Sequence, residues 1–356
     1  MNLRMEHPAR GESPRRGPLA NLATVLMLVP ALAGPLIFGA VRIWSIVPLL
    51  VVFLTGVVIF SVRFAAGSRR LPDALAIPPG GLWWGLLLLY LAIRIPFSAS
   101  PHTAVFEWPI LFSYAAAYWL WAQPEVTWHS WKRLFGALLV LLSLIALYAL
   151  VEYVRALHDP LRETPIQVLW REGKYGLRVS GTYICPNHFA ALIEIGICLA
   201  AAILFLPGAG VIMRMLAGYG LLLFLPAMLL TQSRSGWLGA MAGLSTVGLL
   251  LLWRKSRKWF AVGLIAVPLL VAAAGVGLWF LSPMVQTRVA DALSGNIRTH
   301  IWADTLNMIR DNPWFGFGGG SYRYVFPRHI TKIFPNYLRY AHNDYLHTVA
   351  EYGITG

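Results

Sequence analysis

WFAVGLIAVPLLVAAAGVGLWFL, residues 259–281, runs for 23 residues without a charged side chain. A helix of about 20 residues spans the roughly 30 Å hydrocarbon core of a bilayer, so this stretch is read as a membrane helix. It is flanked on its N-terminal side by Arg254, Lys255, Arg257 and Lys258. Comparable runs occur at 22–40, LATVLMLVPALAGPLIFGA, and at 134–154, LFGALLVLLSLIALYALVEYV. The whole chain of 356 residues is 58% hydrophobic and only 12% charged, with a mean hydropathy of +0.62. A soluble domain carries about a quarter charged residues. The fold class expected is therefore an all-α polytopic membrane protein.

Working outward from 259–281, nine spans are expected near 20–40, 43–62, 82–96, 104–121, 134–154, 187–206, 213–230, 236–253 and 259–281. A tenth helix is expected to begin near 342, giving about ten in all. The first run is not a cleaved signal peptide, because it is long and another span follows at once. Cys185 and Cys198 lie 13 residues apart. On a helix that is about 20 Å, too far for a disulfide.

The net charge of +14 would suggest nucleic acid in a soluble protein. In a membrane protein, basic loops have a topological cause instead, and no nucleic-acid partner is expected. Alternate short connections are basic: the N-terminal tail, Arg63 to Arg70, Lys132 and Arg133, Arg214, and Arg254 to Lys258. The positive-inside rule assigns these to the cytoplasm, including a disordered tail at 1–18. Residues 19–356 then form a single transmembrane domain, with 282–341 as a long outer loop. Segments 97–103, 155–186 and 231–236 share its face.

The chemically distinctive residues fall on that face. Arg234 sits in LTQSRSGWLGA (230–240) at the membrane boundary. It either snorkels to headgroup phosphate or offers a planar fork to a phosphate ligand. In REGKYGLRVSGTYICPNHFAALIEIG (171–196), Pro186 opens a span, with Asn187 near its cap and His188 beside it. Arg178 belongs to the loop before them. NIRTHIWADTLNMIRDNP (296–313) reads as a short amphipathic helix able to lie on the bilayer surface. GFGGGSYRY (316–324) lacks the lysine of a P-loop and the dinucleotide glycine order, and reads as a flexible turn. In AHNDYLHTVAEYGITG (341–356), His342 stands at a helix start with Asn343 and Asp344 behind it. It serves either as an interfacial hydrogen-bonding residue or as a general base titrating near neutral pH. No metal-ligand spacing is present.

Four blocks together resemble the O-antigen ligase and polymerase superfamily. His342, Asn343, nine residues, Gly353 and then Gly356 match its C-terminal signature, and Arg234 with Leu238 matches its Arg-x-x-x-Leu element. SGTYICPNHFAALIEI (180–195) resembles its G-T-F-x-N-P-N-H-F-A stretch. RTHIWADTLNMIRDNPWFGFGGGSY (298–322) resembles its R-x-x-x-W…P-x-x-G-x-G-x-x-x-[FY] region. The resemblance covers about 170 residues; residues 1–150 match only as apolar spans.

It implies an inverting glycosyltransferase, free of metal and cofactor, on the periplasmic face of a bacterial inner membrane. The donor would be an undecaprenyl-pyrophosphate-linked glycan. The acceptor would be lipid A core or a growing glycan, as in ligases or repeat-unit polymerases respectively. His342 would activate the acceptor, and Arg234, Arg298, Arg323 and Arg328 would hold the pyrophosphate. Arg178, Asn187, His188, Asn343 and Asp344 would support them. Family members carry further spans after this motif, which implies a domain incomplete at its C-terminus. A lipid or glycan permease is the alternative of another class, but no internal repeat of the kind common in transporters is found.

Overall fold

The computed structural model describes residues 25–26, 28–30, 32–36, 43–67, 78–121, 128–159, 175–283, 285–287, 290, 297–332 and 338–356. Among these the chain is helical, without strands. Helices α1 (Ile43–Gly67), α2 (Gly81–Arg94), α3 (Pro101–Trp121) and α4 (Trp128–His158) come first. Then follow α5 (Pro186–Phe205), α6 (Val211–Leu230), α7 (Arg234–Lys255) and α8 (Arg257–Leu281). Three shorter helices close the described chain: α9 (Ile297–Asp311), α10 (Tyr322–Val325) and α11 (Asp344–Tyr352).

Among the described residues, six helices are long and apolar enough to cross a bilayer: Trp44–Val62, Trp131–His158, Pro186–Phe205, Val211–Leu230, Arg234–Lys255 and Arg257–Gly277. This is a polytopic membrane protein, and its expected count of spans needs correction. The expected span at 20–40 lies largely outside the described residues. The one at 82–96 is a 14-residue helix continued by a 3-10 turn, Ile95–Phe97, at Pro96, so it is apolar but short. The span expected at 104–121 is long, but α3 carries His102, Glu107 and Pro109 and is not among the six. The tenth span is replaced by α11, nine residues long. After it the chain turns back, with Ile354 N–H donating to Pro313 O (2.9 Å) and Thr355 Oγ1 to Trp314 O (2.6 Å).

In lipid, helices gain little by hiding apolar surface from one another, so close packing of small residues holds them together. The α5/α7 crossing shows this. A Cβ on Gly236 would lie 2.7 Å from Ala190 Cβ, one on Gly239 would overlap the Glu194 carboxylate, and one on Gly243 would overlap Cys198 Sγ. Residues 190, 194 and 198 are a turn apart on one face of α5, and the glycines opposite receive them. Around this crossing Leu139 and Leu142 of α4, Phe189, Ile193 and Ile197 of α5, and Phe224 of α6 form a buried core. Outward-facing residues such as Leu222 and Ile265 stay exposed, as a lipid-facing surface allows.

A second core lies in the segment beyond α8. Ile301, Met308, Tyr322, Val325, Phe326, Ala341 and Ala350 are buried together. Tyr322 stacks on Phe326 at 4.8 Å and its hydroxyl bonds Thr305 Oγ1 at 2.8 Å. The amphipathic helix reads from sequence as able to lie on the bilayer surface. In fact the apolar face of α9 is covered by α10, α11 and their connections, because Ile301 and Met308 find protein rather than lipid. Polar staples fix the neighbouring loop. Buried Asp304 accepts from Thr331 Oγ1 (2.8 Å) and N (3.2 Å), and Asp311 meets His329 at 2.8 Å.

Candidate functional site

α5 opens at Pro186 with Cys185 as N-cap residue; Pro at the first helical position needs no N–H partner. Asn187 thus lies inside the first turn rather than at the cap, and its Oδ1 accepts from Arg178 Nη2 at 2.7 Å. Arg178 Nε donates to Thr231 O at 2.8 Å, and Val179 N–H donates to Leu230 O. The guanidinium therefore ties the loop before α5 to the connection between α6 and α7. Ser233 caps α7 by accepting from Gly236 N–H at 3.3 Å, and Arg234 follows as the first helical residue. Gly236 touches Ala190, so the first turns of α5 and α7 lie side by side. Arg234 and His188 are brought to the same end of the bundle.

His342 does not head a membrane helix. Its backbone is left-handed, φ 54°, between a fully buried Ala341 and Asn343. Asn343 caps α11 by accepting from Leu346 N–H at 3.2 Å. The residue keeps an open face. Its imidazole is nevertheless held below the usual histidine pKa, first by burial, then by the Arg298 guanidinium and the His188 ring. His188, Arg298 and His342, from three separate parts of the chain, thus share one electrostatic neighbourhood. The shift favours the neutral form of the imidazole. Asp344, exposed in the first turn of α11, favours the helix dipole and opposes the burial that lowers the His347 pKa.

The other two expected arginines are placed differently. Arg328 stands exposed at the end of the 3-10 turn Phe326–Arg328. Arg323 lies over the Tyr324 ring at 4.7 Å and faces two carboxylates, Glu107 of α3 and Glu351 of α11. This acid pair was not foreseen, although a glutamate in the apolar run FEWPILF (106–112) was a signal for it. Tyr352 donates to Glu107 Oε2 at 2.7 Å, and Glu351 Oε1 accepts from Tyr322 N–H at 3.0 Å. Burial, then the Glu107 charge, pushes Glu351 up to about 8, against bonds from Tyr322 and Gly320 and the Arg323 charge.

The glycine run 316–320 also reads differently in the fold. It is a packing device between α3 and α11, not a flexible turn. Gly316, Gly318 and Gly320 have φ of 60°, 93° and 65°. Phe317 and Gly318 N–H donate to Ala350 O and Glu351 O (3.1 and 2.6 Å), and Ala99 N–H donates to Phe317 O at 2.7 Å. A Cβ on Gly320 would lie 2.7 Å from Thr103 Cβ. Backbone must pass this close for Glu107 and Glu351 to meet.

The acid pair predicts a pH effect on stability. An unfolded Glu351 is ionised above its ordinary 4.5, whereas the native residue keeps its proton up to about 8. The native state therefore binds more protons in that interval, and stability falls as pH rises, with a limiting slope of about 1.4 kcal/mol per unit. His347, which faces Glu351 Oε1 at 3.5 Å, has its pKa lowered from 6.5 and is already neutral above pH 7. Tm should fall between pH 7 and 8 and level off above, and Glu351→Gln should flatten that fall. An equal pH slope in the variant would refute the assignment.

Among the described residues no group of three or more His, Cys, Asp or Glu is placed to hold a metal ion. Comparison with curated proteins finds no match. Residues 219–356 match the family model described as O-Antigen ligase. The matched part contains Arg234, Arg298 and His342, whereas Arg178, Asn187, His188 and Glu107 lie before it. This match over the C-terminal part supports the O-antigen ligase and polymerase superfamily of membrane glycan-processing proteins.

Proposed function

We propose that the protein transfers a glycan from an undecaprenyl-pyrophosphate carrier to an acceptor hydroxyl, with inversion, at the outer face of a bacterial inner membrane. The observation that carries this reading is the grouping of His342 with the Arg298 guanidinium and the His188 ring, which together with burial hold its imidazole below the usual histidine pKa. His342 takes the proton of the acceptor hydroxyl. The hydroxyl oxygen bonds to the anomeric carbon as the bond from that carbon to the phosphate oxygen breaks. The electron pair leaves on the pyrophosphate, where Arg298 and Arg234 stabilise it by several kcal/mol, as fixed donors do in low dielectric.

Arg178 and Asn187 act indirectly, by keeping the first turns of α5 and α7 together. Arg323 faces Glu107 and Glu351 and is the less direct candidate for the pyrophosphate, and Arg328, exposed on its turn, meets the anion on approach. Lipid A core is the acceptor in this reading, as for a ligase; the same chemistry applied to a growing glycan would make it a polymerase.

Purified protein in liposomes, given lipid-linked glycan and acceptor without nucleotide, gradient or metal and with a chelator present, should form the new glycosidic linkage. Movement of intact donor across the bilayer with no new linkage would replace this reading by a permease. In cells lacking the protein, unligated lipid-linked polymer is the ligase outcome, and a single capped repeat unit is the polymerase outcome.

A further inference from the structure

We propose that Trp302 is the positioning residue for His342, its indole N–H gripping the peptide that leads into the left-handed turn. The inference rests on the reading of His342 as the base. Trp302 Nε1 donates to the Ala341 carbonyl at 3.1 Å. The next residue is His342, with φ 54°. A non-glycine residue in this region costs about 1–2 kcal/mol, and such a conformation persists only where its surroundings over-determine it.

The surroundings do so on both sides. Before His342, the Ala341 methyl is fully buried among Ile301, Met308 and Tyr322, and its carbonyl is tied to Trp302. After it, Asn343 caps α11 through its side chain and accepts His347 N–H on its carbonyl at 2.9 Å. Between these anchors His342 itself is exposed.

The spacing on α9 then acquires a physical reason. Arg298 and Trp302 are four residues apart, about 6 Å along the axis and on one face. One turn presents the guanidinium that acts on the imidazole; the next holds the backbone that carries it. An indole partly removed from water normally finds an acceptor for its N–H. Here the ring packs on the outer core while the N–H serves the turn. Any shift of α9 moves cation and base together, so their separation is preserved.

The test compares Trp302→Phe, which keeps an aromatic ring and loses the donor, with Trp302→Ala, which loses both. The full-length protein is studied in detergent or liposomes. The titration of His342 is read by NMR of labelled histidine, with the signal assigned by its loss in His342→Gln. In Trp302→Phe the imidazole should drift from Arg298, and its pKa should rise toward 6.5. Transfer should lose about tenfold in kcat, the worth of one hydrogen bond of roughly 1.4 kcal/mol, with KM for the lipid-linked donor unchanged.

If Trp302→Phe matches wild type in both titration and kcat while only Trp302→Ala suffers, the ring merely packs and the proposal is overturned. If His342→Ala retains transfer, the base assignment fails, and the titration still decides whether Trp302 positions that residue. Should Trp302→Phe not fold, hydrogen exchange at the wild-type Trp302 indole decides: protection supports the bond, and exchange at the free-indole rate overturns it.

Discussion

Replacing His342 by alanine is expected to slow glycan transfer by about 10²–10⁴-fold, the range a positioned general base contributes. The loss should fall on kcat, because in the proposed mechanism the imidazole acts on the acceptor proton while the arginines bind the donor lipid. Alanine also suits the turn no better than histidine, so the fold should be retained, and an unchanged Tm is the control. The pH profile offers a second arm. The wild-type rate should be flat at neutral pH and fall on the acid side, below the ordinary histidine value, because the imidazole must be neutral to act. Burial, Arg298 and His188 hold that limb down. Removing the guanidinium with Arg298→Ala should move the limb upward toward 6.5 as well as lowering the rate. A His342→Ala enzyme with wild-type kcat would remove the base from this account.

Gly353→Ala is expected to destabilise the protein by about 3 kcal/mol or more, the sum of backbone strain and overpacking. Gly353 ends α11 with φ 72° and ψ −174°, a region that is essentially glycine's alone. A Cβ there would overlap the Trp314 carbonyl and lie 2.5 Å from Phe315 N. Both obstacles are backbone, so no side chain can swing away. The same backbone is stitched to the C-terminal stretch by Ile354, Thr355 and the Arg94 guanidinium, which donates to Phe315 O and Gly316 O at 3.2 Å each. Gly208 supplies the comparison: its φ is 76°, but a Cβ would meet nothing within 4 Å. Gly208→Ala should therefore cost only about 1–2 kcal/mol of left-handed strain. Thermal melts of both variants give the measurement, and equal losses would show that the crowding at Gly353 is relieved in solution.

The two glycines illustrate how far the sequence could be read. Gly353 was visible as a member of the motif that starts at His342, yet nothing in its neighbours along the chain announced Trp314 as its obstacle. The same holds for Glu107 and Tyr352, which bond across 245 positions, and for Trp302 and Ala341, 39 apart. Arg323 and Arg298 looked alike as outer arginines; only the folded chain gives one to an acid pair and the other to an imidazole.

What the sequence determined alone was the membrane class and most of the long apolar helices, and it singled out Arg234, Arg298 and His342 as candidates. Partition into lipid is a sum over some 20 consecutive side chains, so it is written locally and survives ignorance of the fold. Tertiary structure decided that the helix after His342 is a short cap over α9 rather than a span. It also decided that the glycine run is a packed crossing and that His342 sits on a left-handed turn. Those outcomes depend on which distant surfaces meet and how closely, and periodicity along the chain carries no record of that.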